Sequence, residues 1–155
     1  MNSFTARITV ATVVEQDGKF LLVREHANDQ LVLNQPAGHV EAGESLLQAA
    51  FRETLEETAW QVEITDFLGV YIFQPVRDAG IYYRFCFIAR PLKQDPRQKL
   101  DPEIVEAVWL SADDILARRT EHRSPLVGQC LQDYLDGRRL PLDSIYQHPW
   151  PLQKG

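Results

Sequence analysis

Three carboxylates crowd into the run Arg52-Glu53-Thr54-Leu55-Glu56-Glu57. On a helix, Glu53, Glu56 and Glu57 fall at i, i+3 and i+4 and so share one face. Alone, the three charges repel one another. A divalent cation turns that repulsion into coordination, and its free positions can receive a phosphate-rich substrate. The competing reading is a solvated acidic helix face. Two features oppose it. The opposite face, Leu47, Phe51, Thr54, Leu55 and Thr58, is expected to pack and so aim the acids. Ala49 and Ala50 flank the acidic stripe and are expected to leave room for an ion. The preceding Glu41-Ala42-Gly43-Glu44-Ser45 reads as a turn with a helix N-cap at Ser45.

Gly38 stands six residues before Glu44, and Arg52 follows eight after it. Together, Gly38, Glu44, Arg52, Glu53, Glu56 and Glu57 resemble the signature box of the Nudix hydrolases. That box runs Gly, five residues, Glu, seven residues, then Arg-Glu-aliphatic-x-Glu-Glu-x-Gly-aliphatic. At ordinary residue frequencies such a match arises by chance in a chain this long with a probability of roughly 10⁻⁵. Thr54 replaces an aliphatic residue of the box, Ala59 replaces its glycine, and Trp60 fills its last apolar place. A glycine at position 59 would end the helix in the left-handed conformation, which alanine adopts at a cost of about 1 kcal/mol.

The resemblance implies an α/β fold, the Nudix-type α/β/α sandwich around a mixed β-sheet. It implies Mg²⁺, with Mn²⁺ able to substitute, held by Glu53, Glu56, Glu57 and the Gly38 carbonyl. It also implies that Arg52 pairs with Glu44 and fixes the catalytic glutamates, Glu53 foremost. Three further segments, Leu33–His39, Val108–Ile115 and Arg123–Val127, resemble a bacterial phosphatase branch of the family, and that likeness extends from Ile8 to about Trp150. It implies hydrolysis of nucleoside tri- and diphosphates with release of orthophosphate, and action on the pyrophosphate of a thiamine precursor. Two other readings compete. Pro75 lies fifteen residues beyond the box, where many ADP-ribose hydrolases of the family carry a proline, although the Asp78-Ala79-Gly80 turn explains it equally. A non-catalytic module that senses a nucleotide generally lacks box glutamates, and none is missing.

Hydrolysis at phosphorus needs an aimed water and a base. A carboxylate bound to a cation is a poor base, because the cation lowers its pKa. One more acid is therefore expected outside the box. Glu103, in Asp101-Pro102-Glu103-Ile104, is the candidate, and Glu106 the competitor. Substrate grip is assigned to Arg7, Arg24 and Arg84 in strand-like segments and to His39 beside Gly38. Tyr82, Tyr83 and Phe73 are either base-stacking residues or core. Arg138-Arg139 is expected to complement a helix C-terminus.

The elements that must position these groups follow from pattern. The chain has 155 residues, 45% hydrophobic and 25% charged, which suits one domain, 1–155, with a substantial core. Its net charge of −6 argues against a nucleic-acid partner, which needs a basic stripe, and leaves a nucleotide or other pyrophosphate-containing small molecule. The apolar run Ile8–Val14 is too short to span a membrane and carries no cleavage pattern. It reads as a strand of a cytoplasmic protein with no membrane partner, acting as a monomer or homodimer. Cys86 and Cys130 are expected to be buried free thiols. Strands are expected at 7–15 and 19–25 around an Asp17-Gly18 hairpin, then at 31–33, 62–74, 81–90 and 104–110. Residues 34–38 are read as a loop. Helices are expected at 45–58, from Ser111 through Arg118, and from Ser124-Pro125 to about Asp136, ending at Gly137. An irregular tail, 138–155, is expected to follow.

Overall fold

The computed structural model describes residues 3–149. Strands β1 (Ala6–Gln16) and β2 (Lys19–Ala27) meet at the Asp17-Gly18 turn, where both residues have positive φ, 52° and 77°. Their pairing covers only Glu15↔Phe20 and Gln16↔Lys19, so the strands diverge beyond the turn. Each then heads its own half of the sheet. β1 pairs in parallel with β6 (Ile81–Gln94) on one side and antiparallel with β4 (Ala37–His39) on the other, and β6 pairs with β5 (Trp60–Phe73). β2 lies between β3 (Gln30–Asn34) and β7 (Ile104–Ser111). The sheet is therefore mixed, as expected.

Alternation along the strands sends side chains to two helical layers. On one side, Val10, Phe67 and Phe87 pack against Ala49 and Ala50 of α1 (Leu46–Thr58). On the other, Ala11, Val13, Leu68, Cys86 and Ile88 pack against Ile115 of α2 (Ala112–Ala117) and against Cys130 and Leu131 of α3 (Pro125–Leu135). This is the α/β/α sandwich. Cys86 and Cys130 are both buried and free. Among the described residues no helix is long and apolar enough to cross a membrane.

Two expectations are corrected. Residues 37–39 are a strand, not a loop, because β1 supplies a register for them: Thr9↔His39, Val10↔Gly38 and Ala11↔Ala37. The buried face of α1 is also not the one the large apolar residues suggested. Leu47 and Phe51 are 41% and 39% exposed, while Ala49, Ala50, Glu53, Thr54, Glu57 and Thr58 are buried. Small alanines let the helix approach the sheet closely, and the acidic edge comes in with them. Thr54 lies at the contact, its hydroxyl 2.8 Å from that of Thr12 on β1. A hydroxyl there has a partner, which accounts for threonine at that position of the box.

The described part of the expected tail, residues 138–149, is tied to the sheet. Leu140 bridges to Phe67, and a 3₁₀ turn follows at Leu142–Ser144. The expectation for 150–155, Trp150 included, lies outside the described residues.

Candidate active site

Both ends of α1 are fixed. Ser45 accepts from the Gln48 amide at 3.0 Å and Gln48 accepts from the Ser45 amide at 2.8 Å, a complete capping box. At the other end Ala59 adopts φ 64°, ψ 13° and donates its amide to Leu55 O at 2.8 Å. Alanine thus takes the left-handed turn usually given to glycine.

Arg52 organises the acids. Its Nε and Nη2 donate to the two Glu44 oxygens at 2.6 and 2.9 Å, a two-pronged pair. Its Nη1 reaches Glu53 at 2.8 Å and Glu56 at 3.1 Å, and Nη2 also meets His39 O at 3.1 Å. The hydrogen bond from Arg52 holds the Glu44 carboxyl below its ordinary pKa, and Glu44 in turn raises that of Arg52. One guanidinium therefore ties the turn, the β4 backbone and two box glutamates into a single body.

Glu57 is held from the other side, accepting the Ala37 amide at 2.8 Å. Burial pushes its carboxyl up to about 9, and nearby Glu25, Glu53 and Asp101 add to the rise. Burial likewise raises Glu53 and Asp101. One oxygen each of Glu53, Glu56 and Asp101 lie within 4.8 Å of one another. Such crowded, desolvated carboxylates suit a hard divalent cation with oxygen ligands. Gly38 fits the same picture, because a Cβ at that position would overlap the Glu53 carboxylate. The β4 backbone can press against the acid only if residue 38 has no side chain.

The acids open into a cavity of about 650 Å³. It occupies the gap left where β1 and β2 diverge. Of the residues assigned from sequence, Gly38, His39, Glu53, Glu57, Arg84 and Glu103 line it. Glu103 is exposed, and its carbonyl accepts the His26 amide at 3.0 Å. Arg7 and Arg24 are not among the lining residues. Arg7 lies over the Tyr82 ring at 5.9 Å, and Arg24 pairs with Glu106 at 3.6 Å. Arg84 is only 6% exposed. Arg138 donates to Leu68 O at 2.7 Å, tying the end of α3 to β5.

Asp101 and Glu25 lie in the site without having been assigned a role. Asp101 shares a tetrapeptide with Glu103, but only the fold shows which of the two meets the box. Glu25 is buried on β2 and accepts from Asn34 at 3.1 Å and Arg123 at 2.9 Å. A single acid in a strand gives no pattern to detect.

A mixed sheet carrying this box is the hallmark of one family, and the NUDIX domain matches residues 4–129 of the chain. The chain belongs to the Nudix family and is a phosphoanhydride hydrolase of it. It is similar to Phosphatase NudJ of Escherichia coli (strain K12), at 39% identity over 152 residues, covering 98% of each chain. The same identity and coverage hold for Phosphatase NudJ of Shigella boydii serotype 4. Among solved structures, a Nudix hydrolase from Nitrosomonas europaea superposes with a TM-score of 0.89 at 44% identity, covering 93% of this chain and 98% of that one.

Proposed function

We propose that the chain is a Mg²⁺-dependent phosphatase of the NudJ kind, with Mn²⁺ able to substitute, that hydrolyses nucleoside tri- and diphosphates and releases orthophosphate. The pyrophosphate of a thiamine precursor is a further substrate. The observation that carries this reading is the Arg52-centred cluster, with Glu44, Glu53 and Glu56 on one guanidinium and Glu53, Glu56 and Asp101 converging beside Gly38.

In this reading Glu53, Glu56, Glu57 and the Gly38 carbonyl hold the ion, and Asp101 adds a carboxylate to the set. The ion supplies charge for the phosphoryl oxygens. Arg52 keeps the glutamates in place, so little reorganisation is needed during reaction. Glu103 takes the proton from the attacking water. It lines the cavity yet stands outside the converging triad, which keeps it clear of the cation. His39 and Arg84 face the substrate from the sheet side of the cavity. Arg7 contributes through Tyr82, and Arg24 acts only through Glu106.

Pro75 lines the cavity beside Phe73, so a nucleoside-diphosphate sugar is the competing substrate. Turnover in ¹⁸O-water with a nucleotide panel separates the two. Labelled orthophosphate with unlabelled diphosphate supports the phosphatase reading. Label in a nucleoside or sugar monophosphate replaces it with the pyrophosphatase one. Turnover that persists in excess EDTA overturns both.

A further inference from the structure

Arg84 is a buried cation without a buried anion. Its Nη1 donates to Gln35 Oε1 at 2.9 Å and its Nη2 to Asn34 Oδ1 at 2.9 Å, both neutral amides. Among the described residues no carboxylate lies within ion-pair distance of it. Glu25, on the other side of Asn34, is already engaged, since it accepts from Asn34 and from Arg123. The amides are themselves fixed, Gln35 donating to Val127 O at 2.8 Å. A desolvated charge is costly unless paired. A carboxylate at position 34 or 35 would supply the pair. The amide oxygens hold the guanidinium in place without neutralising its charge.

That charge faces the cavity. Arg84 on β6, Thr9 on β1 and His39 on β4 form one rung, Thr9 pairing with both. Their side chains leave the sheet on the same face, and all three line the cavity. The rung spans two strand spacings, about 10 Å. Gly38, against Glu53, is next to His39 at one end, and Arg84 stands at the other. The wall therefore carries a fixed positive charge at a distance from the carboxylates.

We propose that Arg84 is the specificity-determining cation for a second phosphoryl group, the one not held at the carboxylate cluster, so that the site selects diphosphates and longer over monophosphates. This rests on the phosphoanhydride-hydrolase reading and adds the residue that counts phosphates.

The test reads binding without turnover. Affinities for methylenediphosphonate, which carries two phosphoryl groups and cannot be hydrolysed, and for orthophosphate, which carries one, are measured by calorimetry in Mg²⁺. The wild-type protein prefers the diphosphonate. Arg84→Gln should weaken it by about 30-fold or more, the scale of a lost charge-assisted hydrogen bond, and orthophosphate by less than about 3-fold. Equal losses for both probes, a larger loss for orthophosphate, or no loss would each overturn the proposal. Thermal melts check that the variant folds. If Arg84→Gln does not, Gln35→Glu decides. It leaves Arg84 in place and gives it a carboxylate partner, so a purely structural arginine keeps the diphosphonate preference, whereas a phosphate-counting one loses it. Failure of the hydrolase reading looks different, because Mg²⁺-dependent turnover is then absent while the preference for two phosphates survives.

Discussion

At the residue scale, Arg52 separates aiming from charge. It makes five hydrogen bonds to Glu44, Glu53, Glu56 and His39, and lysine cannot reproduce that planar fork. Arg52→Lys should lower kcat by about 30-fold or more while KM moves by less than about 3-fold, because the guanidinium holds catalytic groups rather than substrate. Steady-state kinetics across Mg²⁺ concentrations would show it, and a parental kcat would make Arg52 a bystander. Gly38→Ala is harsher although it removes nothing. Its methyl group displaces the Glu53 carboxylate, so activity should fall by about 100-fold or more. Glu57 governs the pH response. Its carboxyl is raised from the ordinary 4.5 to about 9, so the ion-free fold retains a proton that the unfolded chain has lost. Stability from this group is full below the ordinary carboxylate range and falls as pH rises toward 9. Binding an ion requires the carboxylate and expels that proton. Mg²⁺ affinity should therefore climb by up to about tenfold per pH unit through this window and level off above it. Calorimetry in buffers of different ionisation heat would count the proton directly, and a pH-independent affinity would remove Glu57 from the ion's ligands.

At the element scale, the end of α1 offers the sharpest change. Ala59 holds φ 64°, a conformation glycine adopts without strain. Ala59→Gly should raise stability by about 0.5–1 kcal/mol, measurable by urea unfolding, and leave kcat alone. The same element shows what was legible in the sequence. Ser45, the box spacing and the departure at Ala59 located both ends of α1, since caps are local chemistry. Its buried face was misread, because periodicity weighs Leu47 and Phe51 by size while the sheet selected Ala49 and Ala50 for closeness. β4 was invisible for a related reason. Three residues containing Gly38 and following Pro36 have no period of their own, and only the register with Val10 makes them a strand. The box glutamates and Arg52 were readable because one helix carries them. The meeting of Asp101 with that helix depends on a loop returning from β6, through an amide of Asp101 that reaches Glu56 O at 3.1 Å, and no local pattern encodes such a return.

At the scale of the whole molecule, an ion held by these acids would be coupled to the fold. Burial and neighbouring acids raise the carboxyls of Glu53, Glu57 and Asp101, and a bound cation would favour their charged forms. Mg²⁺ at about a hundred times its Kd should stabilise the native state by about 2.7 kcal/mol, lifting Tm by about 5–10 °C for a chain of this size. A melt insensitive to Mg²⁺ would show that the acids hold no ion. The parallel pairing of β1 with β6 has a different consequence, one of timing. Ala11 lies beside Cys86 and Val14 beside Ala89, so β1 leaves the ribosome about 75 residues ahead of its partner. At ordinary elongation rates that lead is about 4–15 s. During it, Val10, Val13 and Val14, all buried in the finished protein, lack the strand that lies beside them there. The nascent chain passes through a seconds-long interval as a client for any factor that shields apolar strands, and a ribosome stalled before Ile81 would hold it there.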